Sequence, residues 1–214
     1  MEFARALVTL SEMLESRGYD ADTLAAKDDL TRKYGEGSAF SVRVPPRPPA
    51  PSGSAGPSGA EPRAPMRLVF YPQPVGLNTK DVRKALDGDE HRECDYLLVI
   101  HARDKPSPNV AKAALEVQDK LTEHGRYMQV FTFAQLQFNV MRHELQPKFE
   151  RLSAAEVAKV VADHSLDHVL QLPRINRDDK VACYMGLRPG DVVRITRKSP
   201  GCGESVNYRV CVGS

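Results

Sequence analysis

A tract of 21 residues, Pro45–Pro65, limits most strongly how this chain can fold. It holds eight of the chain's 16 prolines, and its other residues are Gly, Ser, Ala and three charged side chains. No apolar side chain larger than proline is present, so burial cannot offset the entropy that ordering would cost. The tract is therefore predicted to be a flexible or polyproline-like insertion. Docking of its first five residues, Pro45–Pro49, to a proline-binding partner is the functional alternative.

The overall composition is that of an ordinary globular protein. The 214 residues are 41% hydrophobic and 27% charged, which suits one large or two small domains. A net charge of +2 means that any contact with nucleic acid has to come from a local basic surface. Acidic residues interrupt the apolar N-terminal stretch, unlike a signal or transit peptide, and no run approaches the ~18 apolar residues of a membrane span. The four cysteines are widely spaced and are predicted to be free thiols.

The first two thirds of the chain alternate helical and strand-like patterns. The predicted elements are a helix ending near Arg17 before Gly18, a helix over Asp22–Tyr34, strands over Ala39–Val44 and Arg67–Tyr71, a helix over Asn78–Leu86, a central buried strand over Tyr96–Ala102, a helix beginning at Ser107-Pro108 and a strand over Tyr127–Phe133. This alternation predicts an α/β layer.

The last third predicts a small, separate α+β unit. Its expected elements are a strand-like run from Leu136 to Val140, a helix capped by Ser153 and Glu156, an extended connector at Leu172–Ile175, a short helix from Val181 to Met185 ended by Gly186, a type II turn at Arg188–Asp191, and a hairpin of Val192–Arg197 with Val206–Val212.

Catalytic patterns are weak throughout. A restriction-type nuclease would need carboxylates that converge on one metal ion. The central strand has Asp95 at its start and is followed by Arg103–Lys105, so a basic residue stands where the second acidic triplet should begin. His164 and His168 are four residues apart without the intervening glutamate of a zinc motif, and Cys202 and Cys211 complete no compact ligand set. We expect no catalytic residue, no metal and no cofactor.

Basic residues accumulate near the C-terminus. Between Leu170 and Lys198 there are seven basic residues and three acidic ones, a net charge of +4. Arginine predominates, which favours bidentate pairing with carboxylates or phosphates. The cluster fits a nucleic-acid or acidic protein partner, and a merely solvated basic face is the alternative.

A long set of residues in this last third resembles one family. The set comprises Leu172-Pro173-Arg174-Ile175, Asp179, Val181-Ala182, Tyr184, Gly186-Leu187, Gly190, Val192-Val193, Ile195, Arg197-Lys198-Ser199 and Tyr208-Arg209-Val210. It is similar to the assembly domain of the fifth-largest subunit shared by eukaryotic nuclear RNA polymerases, a domain that by itself constitutes the corresponding small subunit of archaeal RNA polymerase. His143–Pro147 resembles a further turn of that family, and Arg17-Gly18-Tyr19 resembles the end of its first helix. The chain departs from the family pattern at Gln146, Phe149 and Lys180.

The resemblance implies an α+β protein of two domains. Residues 1–141 would form an N-terminal α/β jaw domain with a nuclease-like but inactive layer, interrupted by the insertion at 45–65. Residues 142–214 would form the small C-terminal α+β assembly domain with its β-hairpin.

The resemblance also implies a function. The chain would be a non-catalytic subunit of a DNA-directed RNA polymerase in the nucleus, anchored on the largest subunit among other polymerase subunits. Its jaw would lie near downstream double-stranded DNA and contact it independently of sequence, with no membrane involved. The implied partner-interface residues are Pro173, Arg174, Ile175, Val181, Tyr184, Gly186, Leu187, Arg194 and Arg197.

Two other functions remain open from the residues alone. A free-standing nucleic-acid-binding or regulatory protein would bind DNA by itself with a steep salt dependence. A metal nuclease would cleave with magnesium and lose activity on replacement of Asp95 or Asp104.

Overall fold

The computed structural model describes residues 2–24, 26–47, 64–72, 93–100, 108–199 and 203–213. These residues fall into two compact units, one containing 2–15, 19–47 and 64–138, and the other containing 16–18 and 139–213. The domain boundary between residues 141 and 142 stays a prediction, and the structure divides the chain three residues earlier.

The first unit is built on a four-stranded sheet. Its elements are helix α1 (Glu2–Ser16), a 3-10 turn (Ala21–Leu24), helix α2 (Lys27–Gly35), strands β1 (Phe40–Val44), β2 (Met66–Tyr71) and β3 (Asp95–Ile100), helix α3 (Pro108–Glu123), strand β4 (Met128–Thr132) and a 3-10 turn (Phe133–Leu136). The strand order is β1-β2-β3-β4. Strands β2, β3 and β4 are parallel, and β1 pairs antiparallel with β2.

Burial explains why these segments form these elements. All six residues of β3 are buried, as expected for a central strand of a parallel sheet that is covered on both faces. Helix α1 buries the one face that its apolar spacing predicts, from Phe3 through Leu14. The predicted α/β alternation is confirmed here, and the mixed helix and strand content agrees with the α+β class.

The second unit is built on another four-stranded sheet. Its elements are a 3-10 turn (Val140–Arg142), strand β5 (Lys148–Arg151), helix α4 (Ala154–Asp163), a 3-10 turn (Val169–Gln171), strand β6 (Arg174–Asn176), helix α5 (Lys180–Met185) and strands β7 (Val192–Ser199) and β8 (Gly203–Val212). The strand order is β5-β7-β8-β6. Antiparallel β5 flanks β7, and parallel β6 flanks β8. Residues of alternating strand positions enter two apolar clusters, one around Val193 and Ile195 and the other around Val192 and Val210.

Three local signals in the second unit are confirmed. The Ser153 hydroxyl accepts from the Glu156 N–H while the Glu156 carboxylate accepts from the Ser153 N–H, completing the predicted capping box. Helix α5 ends at Gly186, whose φ of 62° is left-handed. In the turn that follows, Gly190 has φ 96° and the Asp191 N–H donates to the Arg188 carbonyl at 2.9 Å, as a type II turn requires.

Two of the predicted elements are wrong. The helix expected over Asp22–Tyr34 is divided, because the Asp20 carboxylate accepts from the Asp22 N–H at 3.1 Å and begins a separate short turn. The strand-like run after Leu136 contains 3-10 turns instead. There the Asn139 side chain accepts from the Met141 N–H at 2.8 Å and holds the backbone in a turn.

The C-terminal sheet also differs from expectation. The connector that contains Arg174 and Ile175 is strand β6, paired with Val210–Val212 of β8. The predicted hairpin supplies the two central strands of this sheet, and β6 covers only one end of β8. A three-residue strand is too short to show alternation, so the sequence predicts only an extended connector here.

Several predictions fall outside the described residues. These are the helix over Asn78–Leu86, most of the tract Pro45–Pro65, the residues Arg103–Lys105, and Cys202 in the hairpin turn. The start of the tract is described, and Pro46 forms an isolated antiparallel bridge with Tyr19. Within the described ranges, no helix is long and apolar enough to cross a membrane.

Candidate functional site

Helix α5 and the turns on each side of it fix the geometry of the candidate surface. The Asp179 carboxylate accepts from the N–H groups of Val181 and Ala182 at 2.9 and 3.4 Å, which starts the helix. At its other end the left-handed Gly186 lets the chain turn toward the type II turn and β7. Local sequence therefore determines where α5 begins and ends and where the chain turns toward β7.

Most of the nine predicted interface residues lie in the interior of the second unit. Ile175, Val181, Tyr184 and Leu187 are each at most 8% exposed, and Gly186 is also buried. These residues hold the fold of this unit together, so they support a surface without forming it. Sequence similarity alone does not separate such packing residues from contact residues, because both belong to the same family pattern for different physical reasons.

Tyr184 shows this supporting role in detail. Its hydroxyl accepts from the Asn139 side-chain amide at 2.9 Å, and its backbone carbonyl accepts from the Arg17 guanidinium at 2.9 Å. Replacing it would disturb the packing of the unit as well as any interface. Arg17 itself is only 4% exposed, and its Nη2 also donates to the Cys183 carbonyl at 2.6 Å. The sequence signal for Arg17 was its place in the Arg17-Gly18-Tyr19 resemblance, which carried no interpretation of its role.

The exposed members of the predicted set are Pro173, Arg174 and Arg197. Arg194 is partly exposed, but its guanidinium donates to the Glu150 carboxylate at 2.9 and 3.1 Å, so its charge is already paired. Hydrogen bonds from Lys148 and from Arg194 lower the pKa of the Glu150 carboxyl, so this pair stays ionised at neutral pH.

A shallow groove brings two of the exposed residues together. It has a volume of about 170 Å³ and lies in the second unit. The residues that line it are Pro173, Ile195, Arg197, Asn207, Tyr208 and Arg209. Arg174 is not among them, although its carbonyl accepts from the Arg209 guanidinium at 3.5 Å.

Arg209 lines the groove, but the sequence pattern does not predict it. Arg209 lies beyond Lys198, where the predicted basic cluster ends. In the hairpin register Arg209 pairs with Val193, while Arg197 pairs with Ser205. These pairs are four residues apart along the strands, so both arginines belong to the same face of the sheet. Only the strand pairing of the hairpin indicates that Arg209 lies on the same face as Arg197.

The groups considered for chemistry have structural partners. The buried Asp95 carboxylate accepts from the Tyr127 N–H at 2.9 Å and so joins the ends of β3 and β4. His168 Nδ1 accepts from the Leu170 N–H at 3.1 Å, and His164 packs edge-on against Tyr208. In the part of the chain that the structure describes, no three His, Cys, Asp or Glu residues are placed to hold a metal ion.

The described cysteines are free thiols in protected surroundings. Burial raises the pKa of both the Cys183 and the Cys211 thiol to about 11, so neither is a thiolate at neutral pH. Cys94 is fully buried, and burial raises the pKa of its thiol as well. The free-thiol prediction is confirmed for these three cysteines.

A small mixed sheet that presents arginines around a shallow groove has the make-up of a protein-docking module. Comparison with known proteins identifies which module it is. Residues 138–211 match the family model described as RNA polymerase Rpb5, C-terminal domain.

The relatives extend the match beyond that domain. The chain is 30% identical to DNA-directed RNA polymerases I, II, and III subunit rpabc1 of Dictyostelium discoideum over 145 residues, covering 67% of this chain and 71% of that protein. It is 29% identical to the RPABC1 subunit of Caenorhabditis elegans over 210 residues, covering 95% and 92%. It is 45% identical to DNA-directed RNA polymerase subunit Rpo5 of Sulfolobus acidocaldarius over 74 residues, covering 35% of this chain and 87% of that protein. The chain belongs to the Rpb5/RPABC1 family of RNA polymerase subunits.

Proposed function

We propose that this chain is a non-catalytic subunit of a nuclear DNA-directed RNA polymerase and that its second unit anchors it on the largest subunit. The observation that carries the proposal is the family match over residues 138–211, together with relatives whose names are those of polymerase subunits. The match falls on the unit that displays the exposed arginines and the groove.

The proposed anchoring surface consists of the exposed residues of the predicted set. Pro173, Arg174 and Arg197 are available to a partner, and Arg209 extends the same surface. Among the described residues none of the three arginines forms an ion pair with a carboxylate, so each can pair with an acidic group of the partner. The buried members of the set act by holding β6, α5 and β7 in place.

The first unit is the proposed jaw. Its three parallel strands with a covering helix support the nuclease-like layer implied by the family resemblance, and residues 1–141 remain the proposed extent of this domain. Asp95, the acidic residue that a nuclease would need, is buried and serves as a backbone acceptor. Contact of this unit with downstream DNA would be to phosphates and independent of sequence.

Copurification tests the proposal directly. The tagged full chain, expressed in its own cells, should recover the largest RNA polymerase subunit and other polymerase subunits, identified by mass spectrometry. Recovery of the chain alone, bound to DNA with a steep salt dependence, would favour the free-standing nucleic-acid-binding alternative instead.

Charge reversal tests the surface. We expect Arg174→Glu combined with Arg197→Glu to reduce recovery of the largest subunit at least tenfold while the chain stays folded. Lys112→Glu combined with Lys159→Glu changes the net charge equally at exposed positions outside the groove and should reduce recovery less than twofold. Equal losses from the two double variants would show that overall charge, and not this surface, governs assembly.

A further inference from the structure

Strand β8 has one side that β6 covers only in part. The Val210 N–H donates to the Pro173 carbonyl at 2.9 Å, and the Val212 carbonyl accepts from the Arg177 N–H at 3.0 Å. Both groups point away from β7. Because backbone groups alternate sides along an antiparallel strand, the N–H and C=O groups of Glu204, Val206 and Tyr208 point the same way.

No described residue pairs with this part of the strand. Strand β6 begins at Arg174, and its register covers only Val210–Val212 of β8. From Gly203 to Arg209 the hydrogen bonds of β8 run to β7 on the inner side alone, among the residues that the structure describes. An open strand edge of this length presents a row of donors and acceptors that matches the backbone of another extended chain.

The two faces beside this edge differ in chemistry. Arg197, Asn207 and Arg209 lie on one face and line the groove, which Tyr208 reaches from the other face, and the lining contains no acidic side chain. On the other face Val206 is 48% exposed and Tyr208 is half-buried. A strand added along this edge would place alternate side chains over the arginines and the intervening ones beside Val206 and Tyr208.

We propose that the open edge of β8 from Glu204 to Tyr208 accepts an extended acidic segment of another polymerase subunit as an added β-strand in line with β6. The segment would span about five residues and alternate carboxylate with apolar side chains. This inference rests on the proposed function and specifies the chemistry of the partner segment.

Two other occupants fit the edge less well. Nucleic acid could pair its phosphates with Arg197 and Arg209, but it offers no alternating donors and acceptors to the strand backbone. The proline-rich tract of this chain has eight prolines, which lack the N–H that a ladder requires, and only one acidic residue, Glu61. A peptide backbone with carboxylates satisfies both the edge and the groove.

Site-specific photo-crosslinking in the purified polymerase tests the inference. A photoreactive benzoylphenylalanine at position 207 should crosslink to one segment of another subunit, and peptide mass spectrometry should show acidic residues at alternate positions in it. The same probe at position 159, on the exposed side of α4, is the control for nonspecific capture.

A proline substitution tests whether the backbone edge is used. Val206→Pro removes an outward N–H and leaves the inward bonds to β7 in place, so the crosslink from position 207 should fall at least tenfold. Ala154→Pro puts proline at the first position of α4, where it is tolerated, and should change the crosslink less than twofold. If Val206→Pro fails to fold, Arg197→Glu with Arg209→Glu keeps the backbone edge and should lower the crosslink by a similar factor.

The outcomes separate this inference from the proposed function. Copurification with a crosslink to DNA, to residues 48–63 of this chain, or to no other subunit would overturn the added strand and leave the polymerase assignment standing. An undiminished crosslink in a folded Val206→Pro chain, or in the double arginine variant, would do the same. Absence of the chain from purified polymerase would overturn both.

Discussion

Arg17 is a buried charged residue that hydrogen-bonds the C-terminal end of helix α5. Its guanidinium is 4% exposed and donates from Nε to the Tyr184 carbonyl and from Nη2 to the Cys183 carbonyl. These carbonyls lie in the last turn of α5, where a helix leaves acceptors unsatisfied and favours positive charge. The forked geometry of arginine serves two acceptors at once, which the single ammonium of lysine matches poorly.

We expect Arg17→Met to lower the free energy of unfolding by about 2 kcal/mol, because it removes charge-assisted hydrogen bonds to buried carbonyls. The stability of Arg17→Lys should fall between those of the wild type and Arg17→Met. Arg5→Met, at an exposed position of α1, should change stability by less than about 0.5 kcal/mol. Urea unfolding of the full chain measures all three, and equal effects at positions 5 and 17 would contradict the capping role.

Gly186 lies against the guanidinium of the same arginine. Its φ is 62°, and a Cβ there would lie 3.0 Å from Arg17 Cζ. Gly190 is also left-handed, with φ 96°, but a Cβ at that position meets nothing within 4 Å. Alanine substitutions at the two glycines therefore distinguish the cost of backbone strain, which both share, from the cost of a steric contact at position 186.

We expect Gly190→Ala to cost about 1–2 kcal/mol from backbone strain alone, and Gly186→Ala to cost about 1 kcal/mol more. In an Arg17→Met background the extra cost at position 186 should shrink, because the guanidinium that the new methyl group meets is gone. Urea unfolding of the wild type, Gly186→Ala and Gly190→Ala, each with and without Arg17→Met, measures this change over six chains. An unchanged difference between the two glycine variants would refute the steric contact.

At the scale of single elements, prediction from sequence succeeded where the signal is local. The capping box of α4, the left-handed end of α5 and the turn before β7 depend on residues within a few positions of one another. It failed where pairing with a distant strand decides the outcome. Strand β6 forms because its residues pair with Val210–Val212 of β8. Its own three residues carry no pattern that predicts this pairing.

The residues of the candidate site could likewise be predicted from the sequence only in part. Arg174 and Arg197 are exposed, as the predicted role of contact residues requires, and that role stays a prediction. The family pattern also predicts contacts at Tyr184 and Leu187, which are buried, because a one-dimensional pattern does not show the direction of a side chain. Arg209 was missed because its relation to Arg197 exists only through the hairpin register.

The capping box of α4 makes stability depend on pH. The backbone N–H and then the hydroxyl of Ser153 lower the pKa of the Glu156 carboxyl from its ordinary value of 4.5. A carboxyl with a depressed pKa in the folded state stabilises the fold above its unfolded pKa, and this contribution is lost as the pH falls through the folded value.

We therefore expect Ser153→Ala to cost about 1 kcal/mol at pH 7. Glu156→Gln should cost less, and its difference from the wild type should disappear as the pH falls below 4.5. Urea unfolding at pH 7, 5 and 3.5 measures both differences. A difference for Glu156→Gln that stays constant over this range would show that the carboxylate charge does not contribute to the cap.

At the scale of the whole molecule, each of the two units has an apolar core of its own among the described residues. The first forms around the buried strand β3, and the second forms on the two faces of the β7–β8 hairpin. The relative from Sulfolobus acidocaldarius matches this chain over 74 residues that make up 87% of its own length. Residues 139–214 contain both apolar clusters of the second unit, and we expect this region to fold by itself.

A fragment of residues 139–214 should therefore unfold cooperatively in urea, with lower stability than the second unit has in the full chain because it lacks Arg17. A fragment of residues 142–214, which follows the boundary expected from sequence, should be less stable by about 1 kcal/mol. It loses Asn139, whose amide donates to the Tyr184 hydroxyl and whose carbonyl oxygen accepts from the Met141 N–H. Asn139→Ala in the longer fragment is the matched control and should account for most of that loss. Equal stability of the two fragments would place the boundary at residue 141, and noncooperative unfolding of both would show that the second core needs the rest of the chain.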